Sequence, residues 1–505
     1  MSGPFVLAID QGTGSTKALL VDRDSKVVAR GQHPLGLSTP QPGWVEQDAE
    51  EIWQSVLAAI REAVSPETAG DIIAIGFSTQ RESCLLWDRS SGKPLSPLLS
   101  WQDQRTLSLC EAVPEATQAM IRAKTGLPLD PMFSAVKAQW LLDRVDPDRS
   151  RSKAGEICVG TIDSYLIFRL GGEHVVEIGN SSRMQLVDLE KGDYDADLLA
   201  LFNIPRASLP RIVPSRYDFA KVSGIAPLVD GTPVTAVLAD SHAALFAHGA
   251  FQPGKVKATQ GTGSSVMGLY DSAIPADQID LGVCRTIAWQ VDDIAYAFEG
   301  NIRSVGSTLV WLAEFLGIST AELATLAASV SDSNGVTIVP AFGGLGAPYW
   351  DANAVGIIGG VALGTSRAQV ARAAVGSIAH QIVDVLDRVL LSGLRVDQLY
   401  VDGGPTKNEL LMQLETDLAG VPVVRPQTAE LSAMGAAHLA GLGAGIWTLD
   451  DLAALPREGN VFEPRMDDLA RQRQRQEWRR MVARSRGLSV HERPENRKAE
   501  RSGTY

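Results

Sequence analysis

Gln11-Gly12-Thr13-Gly14-Ser15-Thr16 returns almost unchanged as Gln260-Gly261-Thr262-Gly263-Ser264-Ser265 in the second half of the 505-residue chain. Each copy follows a strand-like run (Phe5 to Ile9, then Lys255 to Thr259) and precedes another (Lys17 to Val21, then Val266 to Tyr270), so each reads as a hairpin tip. Glycine lets the backbone approach a ligand closely, while amides and hydroxyls offer donors to anionic oxygens. Either loop alone could be only a Gly-rich turn. Two near-identical copies point instead to one fold used twice, with the two tips holding a polyphosphate from both sides. No Gly-Lys-Ser/Thr closes the loop and no helix follows it, which excludes a P-loop and a dinucleotide fingerprint.

Strand, helix and strand alternate on both sides of the repeat. The first half gives a meander to about Gln32, a helix from Ala49 to Val64, and strands at Ile72–Phe77, Ile157–Val159 and Val234–Leu238. The second gives Ala295–Phe298, a helix from Val305 to Leu316, a strand from Val336 to Pro340, a long helix from Ser366 to Leu391 and a strand at Leu399–Val401. That pattern is α/β with a mixed sheet in each half. The division falls near His248 to Pro253, giving domains at 1–250 and 251–465, then a charged helix-like stretch from Met466 to Arg484 and a polar tail from His491 to Tyr505. No role is assigned to that last region.

With 46 Lys+Arg against 59 Asp+Glu, the net charge of −13 argues against nucleic-acid or anionic-membrane partners. Local donors must therefore hold any nucleotide. Cys84, Cys110, Cys158 and Cys284 are widely spaced, the histidines form no ligand pattern, and no leader or spanning segment is evident. These features lead us to expect a cytoplasmic protein with reduced thiols.

Three places carry candidate chemistry. Asp10 ends the first strand beside the Gly12 loop, where a carboxylate near phosphates calls for a cation such as hydrated Mg²⁺; the alternative is a turn cap. Asp240 ends the strand Val234 to Ala239 and opens the run Ser241 to Phe246. It reads as a helix N-cap, as a base that takes the proton of an attacking hydroxyl, or as both. Arg81 and Glu82, with Trp87 and Trp101 close behind, suit a polyol, or else form a surface ion pair.

These residues resemble the FGGY carbohydrate kinases, and most closely their glycerol kinase branch. The landmarks are Ala8 to Thr13, Gly43 to Asp48, Thr79-Gln80-Arg81-Glu82, Trp101-Gln102-Asp103, Asp130 to Lys137, Gly160 to Asp163, Val339 to Phe342, Gly344 to Asp351 and Val401 to Gly404. The similarity runs to about Trp447. It implies a duplicated ribonuclease-H-like, actin-like α/β fold of two domains with ATP between the halves. It also implies a kinase for a terminal hydroxyl of a small polyol or sugar, using ATP and Mg²⁺ and assembled as a homo-oligomer, a dimer or tetramer.

By the same resemblance Thr13, Gly14, Ser15, Lys17 and Thr262 meet the ATP phosphates. Gly306, Val310, Gly404 and Asn408 line the rest of the nucleotide, and Asp10 holds Mg²⁺. Asp240 is the general base, and Arg81, Glu82, Trp101, Met132, Asp240 and Ser241 border the polyol. Met132 stands where glycerol kinases usually have tyrosine, and Ser241 where they have glutamine. Lys17 replaces arginine and Val310 replaces glutamine. Loss of donors at Met132 and Ser241 keeps a longer alditol (erythritol, xylitol) or a pentulose open as the acceptor. The glycine-and-arginine regulatory loop of some bacterial relatives is not evident in Tyr217 to Leu238, so control by a sugar bisphosphate is not expected. A non-catalytic ATPase on the same fold, such as a chaperone or filament protein, is the reading from another class; Arg81, Glu82, Trp101 and Asp240 argue against it.

Overall fold

The structure, a computed structural model, describes residues 3–271, 279, 282–428 and 430–487. The tail read from the sequence at His491 to Tyr505 lies outside the described residues. In chain order the elements used below begin with β1 (Phe5–Gln11), β2 (Ser15–Val21), β3 (Val27–Pro34), α1 (Ala49–Ala63) and β4 (Ile72–Thr79). There follow α2 (Ser134–Val145), α3 (Ile178–Ser182), β5 (Arg216–Lys221), β6 (Pro233–Ala239) and α4 (Asp240–Ala247). The second half adds β7 (Gly254–Gln260), β8 (Ser264–Tyr270), β9 (Cys284–Gln290), β10 (Ile294–Ile302), α5 (Gly306–Leu316) and α6 (Arg367–Leu391). Last come β11 (Val396–Asp402), α7 (Glu409–Ala419), β12 (Val423–Pro426), α8 (Leu431–Gly443), β13 (Gly459–Phe462) and α9 (Asp468–Ser485).

Two compact units emerge. One comprises the described residues of 1–251, 284–297 and 430–456, the other those of 252–283, 298–429 and 457–487. The first sheet runs β5-β6-β4-β1-β2-β3 and the second β9-β10-β8-β7-β11-β12-β13. In both, the first strand of a tight hairpin pairs antiparallel with the second and parallel with a later strand: β1 with β2 and β4, β7 with β8 and β11. In the first sheet β3 borders β2, whereas in the second β10 borders β8 and β9 lies outside it; each sheet adds a further parallel strand, β6 beside β4 and β12 beside β11. This shared order is the duplicated ribonuclease-H-like α/β fold that the family resemblance implies.

Within the first unit, alternation along the strands serves two covering helices. Ile75 and Phe77 of β4 join the core under α1, with Ile52, Val56 and Ile60. Gly76 between them points the other way, where an added Cβ would lie 2.2 Å from the Ala436 carbonyl oxygen of α8. Helix α8 is apolar almost all round and buried from Leu431 to Gly441, as a helix set against a sheet and against α4 must be. At Gly435 a Cβ would come within 1.9 Å of the Ala243 carbonyl oxygen, so the α4–α8 contact is backbone against backbone.

In the second unit the base of the repeated loop is tied down by a buried pair. Gln260 Nε2 donates to Glu415 Oε1 at 2.7 Å, and both residues are fully buried. Burial pushes the Glu415 carboxyl up to about 8, and its Oε2 has no partner among the described residues, as suits a neutral acid. The charged stretch after Phe462 forms α9, which is fixed to α6: Arg475 pairs with Asp384 and Asp387, and the Trp478 indole donates to Asp384 Oδ2 at 2.7 Å. All four cysteines are buried and outside any disulfide. No single described helix is long and apolar enough to cross a membrane.

Two stability measurements follow from this packing. Gly435→Ala should destabilise the protein by about 1–3 kcal/mol through overpacking. Gly376→Ala, in the interior of α6 where a Cβ meets nothing within 4 Å, should stabilise it by up to about 1 kcal/mol; thermal melts of the two variants should shift in opposite directions. For Glu415 the folded carboxyl holds its proton up to about pH 8, whereas the unfolded one loses it near 4.5, the ordinary value for glutamate. Its contribution is complete below that lower value and is lost as pH rises through 8. Glu415→Gln should therefore flatten the fall in stability between pH 5 and 8, by up to about 1.4 kcal/mol per pH unit, in denaturant titrations of both proteins.

Candidate functional site

The first loop is a hairpin tip whose geometry the backbone closes by itself. Gly12 N–H donates to the Ser15 carbonyl at 3.0 Å, Asp10 pairs with Lys17 across the hairpin, and Gly14 is exposed. Side chains from the same unit support it from behind. Gln47 Nε2 donates to the Thr13 carbonyl at 2.9 Å, and the Trp101 indole donates to Thr13 Oγ1 at 3.0 Å. Gln80 Nε2 in turn donates to Gln47 Oε1 and Gln11 Oε1.

Asp10, Ser78 and Leu238 stand in register across the parallel strands β1, β4 and β6, so the next few residues of each strand converge on one edge. Asp10 does not cap its turn. Among the described residues its hydrogen-bond partner is the Ser78 hydroxyl, which donates to Oδ1 at 2.8 Å. Burial, with the charge of Asp240 added, raises its pKa to about 6 against the lowering pull of Ser78 and Lys17. A carboxylate held so unfavourably gains from a neighbouring cation. Among the described residues no three His, Cys, Asp or Glu side chains form a metal cage. One buried carboxylate with water and phosphate oxygens completing the shell matches the habit of Mg²⁺.

Asp240 is the first residue of α4, and the N-cap is Ala239, which corrects the capping assignment made from sequence. Its Oδ1 accepts from the Ser241 N–H at 2.6 Å, and its side chain remains 38% exposed. Arg81 Nε lies 3.4 Å from Asp240 Oδ1 and 3.6 Å from Glu82 Oε1. Arg81 and Glu82 are 6% and 5% exposed, so this is no surface ion pair. Asp240 is the member of the trio that solvent or a small molecule can reach. Met132 and Ser241 are half-buried. The Met132 carbonyl accepts from Lys137 Nζ at 2.5 Å and its N–H donates to Asp130. Trp87 is excluded from this group: it is fully buried against Tyr165, Phe168 and His174.

In the second unit, Thr262 is exposed at its hairpin tip, and its carbonyl accepts from the Val305 N–H at 2.9 Å and from Ser307. Gly306 donates to the Gly261 carbonyl at 2.9 Å, and a Cβ on it would lie 2.5 Å from that oxygen. Gly403, at φ +101°, comes so close to Gln260 that a Cβ would lie 1.9 Å from its carbonyl oxygen, which brings Gly404 to the loop's base. Asn408 caps α7 by accepting from the Leu410 and Leu411 N–H groups. Val310 is 48% exposed on α5. The loop, Gly306 and the Gly403-Gly404 turn thus form one cluster.

Several supporting residues escape a reading of the sequence. Gln47, Gln80 and Lys137 lie inside the quoted landmark stretches without a role of their own. Ser78 and Arg183 carry no signal beyond a polar residue in an apolar or small-residue run, because their partners are distant in sequence.

Residues 5–247 match the N-terminal domain of the FGGY family of carbohydrate kinases, and residues 256–444 match its C-terminal domain. The chain is 42% identical to a glycerol kinase of Citrifermentans bemidjiense over 96% of this chain and 99% of that one. It is 41% identical to an apulose kinase of Pectobacterium atrosepticum over 96% and 99%. A crystal structure of Plasmodium falciparum glycerol kinase with ADP superposes with a TM-score of 0.90 at 30% identity, covering 96% of this chain and 98% of that one. The hairpin duplication, the carboxylates at one sheet edge and these matches agree: the chain belongs to the FGGY family of carbohydrate kinases.

Proposed function

We propose that the enzyme transfers the γ-phosphoryl group of ATP to a terminal hydroxyl of a small polyol, with glycerol as the leading acceptor. The observation that carries this reading is the trio Arg81, Glu82 and Asp240, with the solvent-reachable carboxylate paired to a buried guanidinium. Asp240 accepts the proton of the attacking hydroxyl as its oxygen bonds to the γ-phosphorus and the bond to the β,γ-bridging oxygen breaks, releasing ADP. Arg81 donates to, and Glu82 accepts from, the polyol hydroxyls, while Trp101 covers its carbon face. Thr13, Gly14, Ser15 and Lys17 contact the ATP phosphates, as does Thr262, while Gly306, Val310, Gly404 and Asn408 border the nucleoside. Asp10 would hold Mg²⁺, which when bound offsets phosphate charge. The protein works in the cytoplasm as a homo-oligomer, with domains divided near residue 250.

A second reading, a longer alditol or a pentulose as acceptor, is favoured by Met132 and Ser241. The chain's similarity to an apulose kinase points the same way. Both side chains lack the reach of tyrosine and glutamine.

Release of ADP from ATP and Mg²⁺ in the presence of glycerol, erythritol, xylitol and a pentulose tests the function. ATP turnover indifferent to all of them would sink it. Asp240→Asn should fold and bind nucleotide yet lose turnover by roughly two to four orders of magnitude; near-normal turnover would remove Asp240 from the base role. Met132→Tyr combined with Ser241→Gln should raise the preference for glycerol over erythritol and xylitol about ten-fold in kcat/KM. An unchanged ranking would show that these two positions do not set the acceptor.

A further inference from the structure

Glu82 sits at φ +58°, a left-handed conformation that a non-glycine residue keeps only where its surroundings hold it. It is held from both ends. Its main-chain carbonyl accepts from Ser134 Oγ at 3.1 Å and from Lys137 Nζ at 3.2 Å, both at the start of α2 and both fully buried. Its carboxylate Oε1 accepts from Arg183 Nε at 2.7 Å. Arg183 is itself fully buried, with its guanidinium carbon 5.1 Å from the centre of the Phe133 ring.

The chain builds a dedicated support for this arginine. Arg183 follows α3, whose first amides, those of Gly179 and Asn180, donate to the buried Glu177 carboxylate, as does Ser215 Oγ at 2.5 Å. A short helix anchored at its start thus delivers a guanidinium at its end.

We infer that Arg183 is a positioning residue for the acceptor: it fixes the charged Glu82 carboxylate and leaves Arg81 available to Asp240. This rests on the polyol kinase reading above. The charge layout supplies the reason. Arg81 Nε stands between two carboxylates, 3.6 Å from Glu82 and 3.4 Å from Asp240. A lone cation in that place is drawn toward the more buried carboxylate, where the dielectric is lower and the attraction stronger. With Arg183 on Glu82 at the shorter distance, Arg81 can span both. Removing Arg183 leaves a buried carboxylate short of a partner, and Arg81 must turn to it and away from Asp240.

Steady-state kinetics of wild type, Arg183→Met, Arg183→Lys, Glu82→Gln and the Glu82→Gln/Arg183→Met pair, using the best acceptor of the panel, test this. Arg183→Met should raise KM for the acceptor at least ten-fold while KM for ATP stays within two-fold, and Arg183→Lys should recover part of the loss. In the Glu82→Gln background, Arg183→Met should change the acceptor KM less than two-fold, because the residue acts through Glu82. A full ten-fold further loss in that background would overturn the role, as would equal losses for ATP and acceptor. Should Arg183→Met melt before assay, Arg183→Lys serves instead: an acceptor KM that rises in wild type and not in the Glu82→Gln background supports the role, and any other pattern overturns it. A wild-type protein whose ADP release ignores every acceptor would overturn the parent reading as well, which separates the two failures.

Discussion

Register across three parallel strands governs where the chemistry sits. Asp10, Ser78 and Leu238 align on β1, β4 and β6, so Asp10, Arg81, Glu82 and Asp240 all emerge at the same edge of one sheet. A strand has a side-chain period of two, and a slip of one residue in either pairing would turn Asp10 or the Ser78 hydroxyl to the opposite face. The registry is enforced from outside the edge. On one face Ile75 and Phe77 bury under α1, and on the other Gly76 admits the backbone of α8. No other residue serves at Gly76, since any Cβ there meets a carbonyl oxygen.

Charges are buried around this edge only where another group answers them. Glu82 faces Arg183 and Arg81, and Lys137 spends its donors on two carbonyls while burial lowers its pKa to about 8. Asp10 is the uneasy member, with one hydroxyl donor and a like charge nearby. Deep carboxyls away from the edge take the other solution and favour the neutral form, Glu177 and Glu415 each being raised to about 8 by burial. The contrast separates groups that are paired at the sheet edge from groups that brace the backbone.

Much of this was legible in the chain itself. The repeated hexapeptide gave the duplication and both hairpins, because a tight turn between two strands is a local affair. Asp10 and Asp240 stand out in the sequence because each ends an apolar run. What sequence order hides is contact through space: Ser78 serves Asp10 across a strand pair, and Arg183 reaches Glu82 from a helix a hundred residues on. Of the two roles that the sequence offers Asp240, the cap falls to Ala239, because the helix begins at Asp240 itself. Trp87 was drawn into the polyol group by its nearness in sequence, yet β-strand geometry sends it into the aromatic core. The most distant concealment is α8, which belongs with the first unit although most of the second unit precedes it in the chain.

That return of the chain has a consequence for how the protein is made. During synthesis the first sheet emerges complete once β6 has left the ribosome, but the helix that covers its Gly76 face arrives some two hundred residues later. In the interval an apolar sheet surface lacks its main cover, and at ordinary elongation rates of about 5–20 residues per second that interval lasts on the order of ten seconds or more. The first half of such a chain is a client for holding factors until its second half is read out, and a ribosome that stops before Leu431 releases a sticky half-product and not an independent domain.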